Sequence, residues 1–277
     1  MTNVGRSLFA VLALVSSPAW AIFTNGGFET GTFANWTQST FQNNGLTGSP
    51  PFTSANLNLG PAGGGHTFEG LIHGAGIDPQ APTLVLPRAG NFTAQVGTTT
   101  VGGYAESIVQ QDVITNADRD ATDNLLHVRF SYAAVLEDSG HPDNLRPFFF
   151  VRLRNITKGT ILYEDFTYEQ QPGKTFLSGP PPWRYTAFAN VDVVVSNADL
   201  GDTLEIQALA SDCQPTGHAG YVYLDGFGSA VVVPGPPGAL TPQLPIPTLS
   251  EWALILLALS VAGVAALNHR RQRKPRA

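Results

Sequence analysis

Between residues 22 and 230 no apolar pattern repeats at 3.6 residues, and that absence constrains the chain more than any motif does. In place of helices there are seven stretches, 83–87, 127–133, 148–154, 160–163, 187–195, 203–209 and 220–224. In these, apolar side chains alternate with polar ones or run unbroken over strand lengths. Turn formers separate them, as in Asn155-Ile156-Thr157-Lys158-Gly159, Gln171-Pro172-Gly173 and Asn197-Ala198-Asp199-Leu200-Gly201. Short strands, 29 Gly, 21 Pro and no intervening helix predict an all-β fold, a single antiparallel β-sandwich. About 209 residues are enough for one sizeable core.

The two ends have a different character. Arg6, the apolar run from Leu8 to Val15 and the small-residue site Ala19-Trp20-Ala21 have the layout of a secretory signal peptide, predicted over 1–21. The run is too short to span a bilayer. Residues 231–245 are Pro-rich and predict an extended linker, a stalk of about 40 Å. Then come Ile246-Pro247-Thr248-Leu249-Ser250-Glu251-Trp252, an uncharged stretch to Leu267, and five Lys or Arg in the last eight residues. Residues 252–267 predict one transmembrane helix at the short end of the spanning range. Trp252 is suited to one interface and the basic cluster to the cytoplasmic side, which anchors the chain in the inner membrane with its sandwich outside.

This tail resembles the IPTL-CTERM sorting signal, a relative of the PEP-CTERM signal, with motif, apolar helix and Arg-rich end in the family's order over residues 246–277. The resemblance implies an exosortase-type processing enzyme that cuts near Pro247-Thr248 and passes the body to the cell surface or extracellular matrix. Without signal and tail the body holds about 9 basic and 20 acidic residues, a net charge near −11. That balance disfavours nucleic acid and anionic lipid and suits divalent cations or solubility. The single cysteine, Cys213, excludes an internal disulfide and is expected to be buried.

Phe23-Thr24-Asn25-Gly26-Gly27-Phe28-Glu29-Thr30-Gly31, read as a strand-like start and followed by Phe33-Ala34-Asn35-Trp36, resembles the opening of galactose-binding-like jelly rolls, carbohydrate-binding modules among them. The resemblance implies a jelly-roll-like sandwich and a structural calcium ion, held by an acid after the turn and an Asp in the last strand. The matching residues are Glu29 and, in Tyr221-Val222-Tyr223-Leu224-Asp225, Asp225. The stretches around His141 and from Ser211 to Asp225 resemble blocks of secreted adhesin-like proteins, which implies a shared sandwich and no defined activity.

Other constellations are weaker. Asn116, Asp118, Asp120 and Asp123 space oxygen donors like half a calcium loop, but Ala121 and His127 stand where such a loop needs Gly and Glu, so a polar turn is the better reading. His141 and His218 have no paired zinc spacing and are read as turn histidines. No nucleophile elbow is present. Trp183 and Tyr185, in the loop-like Pro180-Pro181-Pro182-Trp183-Arg184-Tyr185, are the aromatics expected to be exposed and to stack on a glycan, whereas Trp36 is expected in the core. The leading expectation is therefore a noncatalytic surface or matrix module that binds an extracellular glycan. A structural, protein-adhesive module and a polysaccharide hydrolase are the alternatives, separable by an exposed aromatic platform, an open sheet edge or two convergent acids.

Overall fold

The structure, a computed structural model, describes residues 22–120 and 122–228. The expected signal peptide, linker, sorting signal and transmembrane helix lie outside the described residues; among those described, no helix is long and apolar enough to cross a membrane.

Fifteen strands follow one another in the described residues. They are β1 (Thr37–Asn43), β2 (Leu59–Pro61), β3 (Leu71–His73), β4 (Gly76–Ile77), β5 (Val85–Leu86), β6 (Thr93–Val96), β7 (Tyr104–Val113) and β8 (Leu126–Glu137). After these come β9 (Phe148–Asn155), β10 (Thr160–Tyr168), β11 (Leu177–Ser178), β12 (Trp183–Tyr185), β13 (Ala189–Val195), β14 (Thr203–Ser211) and β15 (Gly220–Gly228). One sheet has six strands in the order β10-β9-β14-β7-β1-β2. The other has seven, β11-β12-β8-β15-β6-β3, with β13 beside β12 along the same edge of β8. Every pairing is antiparallel.

The sandwich follows from alternation. Along β9, Phe149, Val151 and Leu153 point inward with Ile206 and Ala208 of β14 and meet Val128, Phe130 and Ala134 of β8 and Val222 and Leu224 of β15. At roughly 25 cal/mol per Å² of apolar area removed from water, this interior is the main stabilising term. The outward residues of the same strands are not all polar. Phe148 and Phe150 join Phe166, Tyr168, Leu46 and Phe52 on the outer face of the six-stranded sheet. Tyr221 and Tyr223 are covered on the other sheet by Leu84, Leu86, Trp183 and Tyr185. β8 and β15 are thus buried on both faces, which is why Ala133 to Leu136 of β8 and Tyr221 to Leu224 of β15 read as apolar runs.

Two expectations need correction. Residues 22–36 form no strand but a coil of tight turns, closed by Gly26 N–H to Phe23 O, Phe28 N–H to Asn25 O and Gly31 N–H to Phe28 O. Asn25 holds the coil, donating Nδ2 to the carbonyls of Thr32 and Ala34 and accepting from Thr30 N–H. The coil lies against β15: Phe23 meets Phe227 edge-on at 5.9 Å, and a Cβ at Gly26 would lie 2.5 Å from that of Phe227. Trp36 is in the core, as expected, stacked on Phe28 at 5.0 Å.

The second correction concerns Trp183 and Tyr185, which are 7% and 2% exposed. They sit on β12 opposite Glu137 and Val135 of β8, and Trp183 packs on Tyr221 at 5.7 Å. A Pro-rich flank looks like a surface loop, but here it delivers a short strand whose aromatic face is needed to cover Tyr221. Among the described residues no Trp, Tyr or Phe is exposed.

Candidate functional site

On the outer face of the six-stranded sheet, the apolar end of β9 gives way to Arg152 and Arg154. Register places Arg152 between Glu164 of β10 and Gln207 of β14, and places Glu205 of β14 between Arg154 and Gln111 of β7. The side chains lock into two ranks across the strands. In the first, Arg152 donates Nη2 to Gln207 Oε1 (2.7 Å) and Nη1 to Ser54 Oγ (2.9 Å), and Gln207 Nε2 donates to Ser107 Oγ (3.1 Å). Glu164 accepts from the N–H and Oγ of Ser54 at 3.1 and 2.5 Å, which ties the 44–57 excursion to the sheet. In the second, Glu205 accepts from Arg154 Nε and from Gln111 Nε2, both at 2.6 Å.

The Arg152 guanidinium lies over the Phe150 ring, 5.6 Å from its centre, and burial lowers its pKa. Its Nε is buried without a hydrogen-bond partner among the described residues. Beside Gln111 opens a groove of about 500 Å³ lined by Asn35, Thr37, Val109, Gln110 and Gln111. Planar amide, guanidinium and carboxylate groups, each fixed by a neighbour and flanked by a groove, provide paired donors and acceptors of the kind that sugar hydroxyls require. Sequence inspection missed these residues because it looked for aromatics.

The acid pair proposed from sequence does come together, on one short turn at residues 88–91. Asp225, fully buried, accepts from Arg88 N–H (2.7 Å) and Ala89 N–H (2.9 Å) through Oδ2 and from Gly226 N–H through Oδ1. Glu29 accepts from Asn91 N–H through both oxygens and from Asn91 Nδ2 through Oε2, all at 3.0 Å. Gly90 between them has φ +65°, and a Cβ there would lie 2.0 Å from Glu29 Oε1. Burial pushes the Asp225 carboxyl up to about 7; backbone N–H bonds oppose this, and the Glu29 charge adds to it. Two mutually repelling carboxylates on one turn fit a divalent cation in charge, and Asp225 Oδ1 and Glu29 Oε1 each retain a lone pair.

A second acid pair was not foreseen. Glu106 and Asp212 flank a cavity of about 10 Å³, the size of one water, closed by His66, Tyr104, Gly97 and Gly220. Burial raises Glu106, and burial together with the Glu106 charge brings Asp212 to about 7. His66 donates to or accepts from Glu106 at 3.1 Å and stacks on Tyr104 at 3.8 Å. A polysaccharide chain does not fit this space. Residues 116–118 form a capped 3-10 turn between β7 and β8, the polar turn expected. Cys213 is buried, also as expected.

The described residues are thus an antiparallel β-sandwich with a polar, grooved sheet face. Residues 245–273 match the IPTL-CTERM motif, which covers Ile246, Pro247, Thr248, Leu249 and Trp252. A comparison with curated proteins returned no match. Among solved structures, TmCBM61 in complex with β-1,4-galactotriose aligns at 10% identity over 74% of this chain and 94% of its own, with TM-score 0.37. The K2 cleaved adhesin domain of Lys-gingipain aligns at 12% identity over 70% and 87%, with TM-score 0.30. The family 11 carbohydrate-binding module from Clostridium thermocellum aligns at 9% identity over 72% and 92%, with TM-score 0.25. Likeness at this level says nothing of a ligand.

Proposed function

We propose that this chain is an exported, surface-directed, noncatalytic module that binds an extracellular glycan on the outer face of its six-stranded sheet. The observation that carries the reading is the pair of cross-strand ranks centred on Arg152 and Glu205, held in place before any ligand arrives. The IPTL-CTERM motif supports delivery to the envelope through an exosortase-like enzyme, with the inner membrane as an intermediate anchor. Calcium at Glu29 and Asp225 is part of the same proposal and has a structural role, since the turn at 88–91 joins the first coil to the last strand.

The test is binding of the full chain to a panel of bacterial exopolysaccharides and plant glycans by calorimetry. Saturable binding that disappears in the double variant Arg152→Ala, Gln207→Ala, with unfolding still cooperative, is the expected result. Binding that survives in that variant sinks the assignment of the face. A complete absence of binding by the folded wild type sinks the glycan reading. The open edge strand β10, nine residues long with Ile161 exposed, favours a second reading as a protein-adhesive module. Calcium-independent self-association, lost on changing Ile161 to Lys, is the outcome that selects it.

A further inference from the structure

The sequence separates His141 from Cys213 and His218, and the fold brings them together. His141 lies in the connection that follows β8, and Cys213 and His218 lie at the two ends of the turn between β14 and β15. One ring nitrogen of each histidine and the cysteine sulfur all lie within 4.8 Å of one another. The Cys213 Sγ is 3.5 Å from His218 Nδ1, and the two imidazoles meet edge to face with centres 5.0 Å apart. His141 Nε2 is buried and has no hydrogen-bond partner among the described residues, which leaves it free to act as a ligand.

The scaffold under these groups is tied down at several points. Cys213 N–H donates to His218 O (2.9 Å), and Thr216 N–H to Cys213 O (3.2 Å), closing the turn. Gln214 N–H donates to Leu145 O (3.0 Å), which fastens the turn to the connection that carries His141. Glu137 accepts from Ala219 N–H next to His218 at 2.7 Å.

In a tetrahedral complex with metal–sulfur near 2.3 Å and metal–nitrogen near 2.0–2.1 Å, ligand atoms are roughly 3.4–3.6 Å apart. The Sγ–Nδ1 separation already has this value, and a small closure at His141 completes the set. One thiolate and two imidazoles select a borderline or soft d-block ion over calcium or magnesium.

We propose that His141, Cys213 and His218 form a three-ligand site for a single zinc or copper ion, whose remaining coordination position is filled by water. The ion would clip the β8–β9 connection to the β14–β15 turn.

The test uses the full chain, stripped with EDTA and titrated with cobalt(II), then with zinc(II) and, under anaerobic conditions, copper(I). One equivalent of cobalt giving a thiolate-to-metal charge-transfer band and a tetrahedral ligand-field spectrum is expected, with displacement by zinc or copper naming the preferred ion. Cys213→Ser should abolish the band. His141→Gln, on a half-buried loop residue, should weaken binding by more than about a hundredfold, beyond the usual effect of an outer-shell change, while metal-free unfolding stays as in wild type. Failure of the folded wild type to take up cobalt, or a cobalt spectrum without sulfur, overturns the proposal. So does undiminished binding in Cys213→Ser.

Discussion

Arg152 donates Nη2 to Gln207 Oε1 across 2.7 Å, and this contact bridges two strands already paired along the sheet, on its outer face. The same guanidinium reaches Ser54 on the excursion that covers the apolar end of the sheet. Both bonds depend on a flat fork. Arg152→Lys should therefore reduce glycan affinity about tenfold, the cost of one charged hydrogen bond at roughly 1.5 kcal/mol. Calorimetry against the best ligand of the panel measures it. An unchanged affinity places the ligand elsewhere.

Trp183→Ala should act on stability and not on recognition. Trp183 is buried against Tyr221, so truncation opens a cavity and should cost about 3–5 kcal/mol in chemical denaturation. Glycan affinity per folded molecule should be unchanged. A stable Trp183→Ala that no longer binds glycan would restore the tryptophan to the site.

Calcium should raise the melting temperature. An ion that binds only the folded state adds about 2.7 kcal/mol at a hundred times its dissociation constant. Scanning calorimetry with calcium and then EDTA reads the effect, and Asp225→Asn should remove it. Magnesium at the same concentration serves as the control. Equal melting temperatures in calcium and EDTA would leave Glu29 and Asp225 with only the task of holding the turn at 88–91.

Stability should be greater at pH 5 than at pH 8. Burial raises the Asp212 and Asp225 carboxyls from 3.8 to about 7, and it raises the Glu106 and Glu169 carboxyls above their ordinary value of 4.5. The folded state therefore holds more protons than the unfolded chain just above those ordinary values. Their contribution is complete below 3.8 for the aspartates and 4.5 for the glutamates and is lost as pH rises through their folded values, at up to about 1.4 kcal/mol per pH unit for each proton. Asp120, held at about 2 by the Thr122 N–H and Arg129, acts in the opposite sense and only in acid below pH 4. Melting curves of wild type and Asp212→Asn test this, because the variant removes a carboxyl held at about 7 and should flatten the slope between pH 5 and 8. An equally steep slope in the variant assigns it to other groups.

The strands most legible in the sequence are those with two buried faces or a regular alternation: β8, β9, β13, β14 and β15. Among the strands that went unread are β1 and β7, which continue the six-stranded sheet beyond the polar ranks of β9 and β14. Thr37-Gln38-Ser39-Thr40-Phe41-Gln42-Asn43 of β1, beside the short edge strand β2, reads as a mostly polar string. In β7 the inward positions include Glu106 and Gln110, and the outward ones Ser107 and Gln111, so no period of two survives. Sites composed of polar residues erase the pattern by which strands are recognised. The acid pair of Glu29 and Asp225 was found because a motif names it, although its setting was misjudged: positive φ angles at Phe23, Asn25 and Phe28 make a coil from residues that read as a strand. The His141, Cys213 and His218 cluster has no linear signature, because two separate connections must be tied side by side before it exists.

β15, the last strand of the described residues, is an interior strand, hydrogen-bonded to β8 on one side and to β6 on the other. A pull transmitted through the residues that follow it is therefore received lengthwise by two ladders at once. Because neither ladder lies at an open edge, they must slide together and cannot be peeled apart bond by bond. A module held to a cell by that end would meet the drag of flowing liquid with its strongest axis.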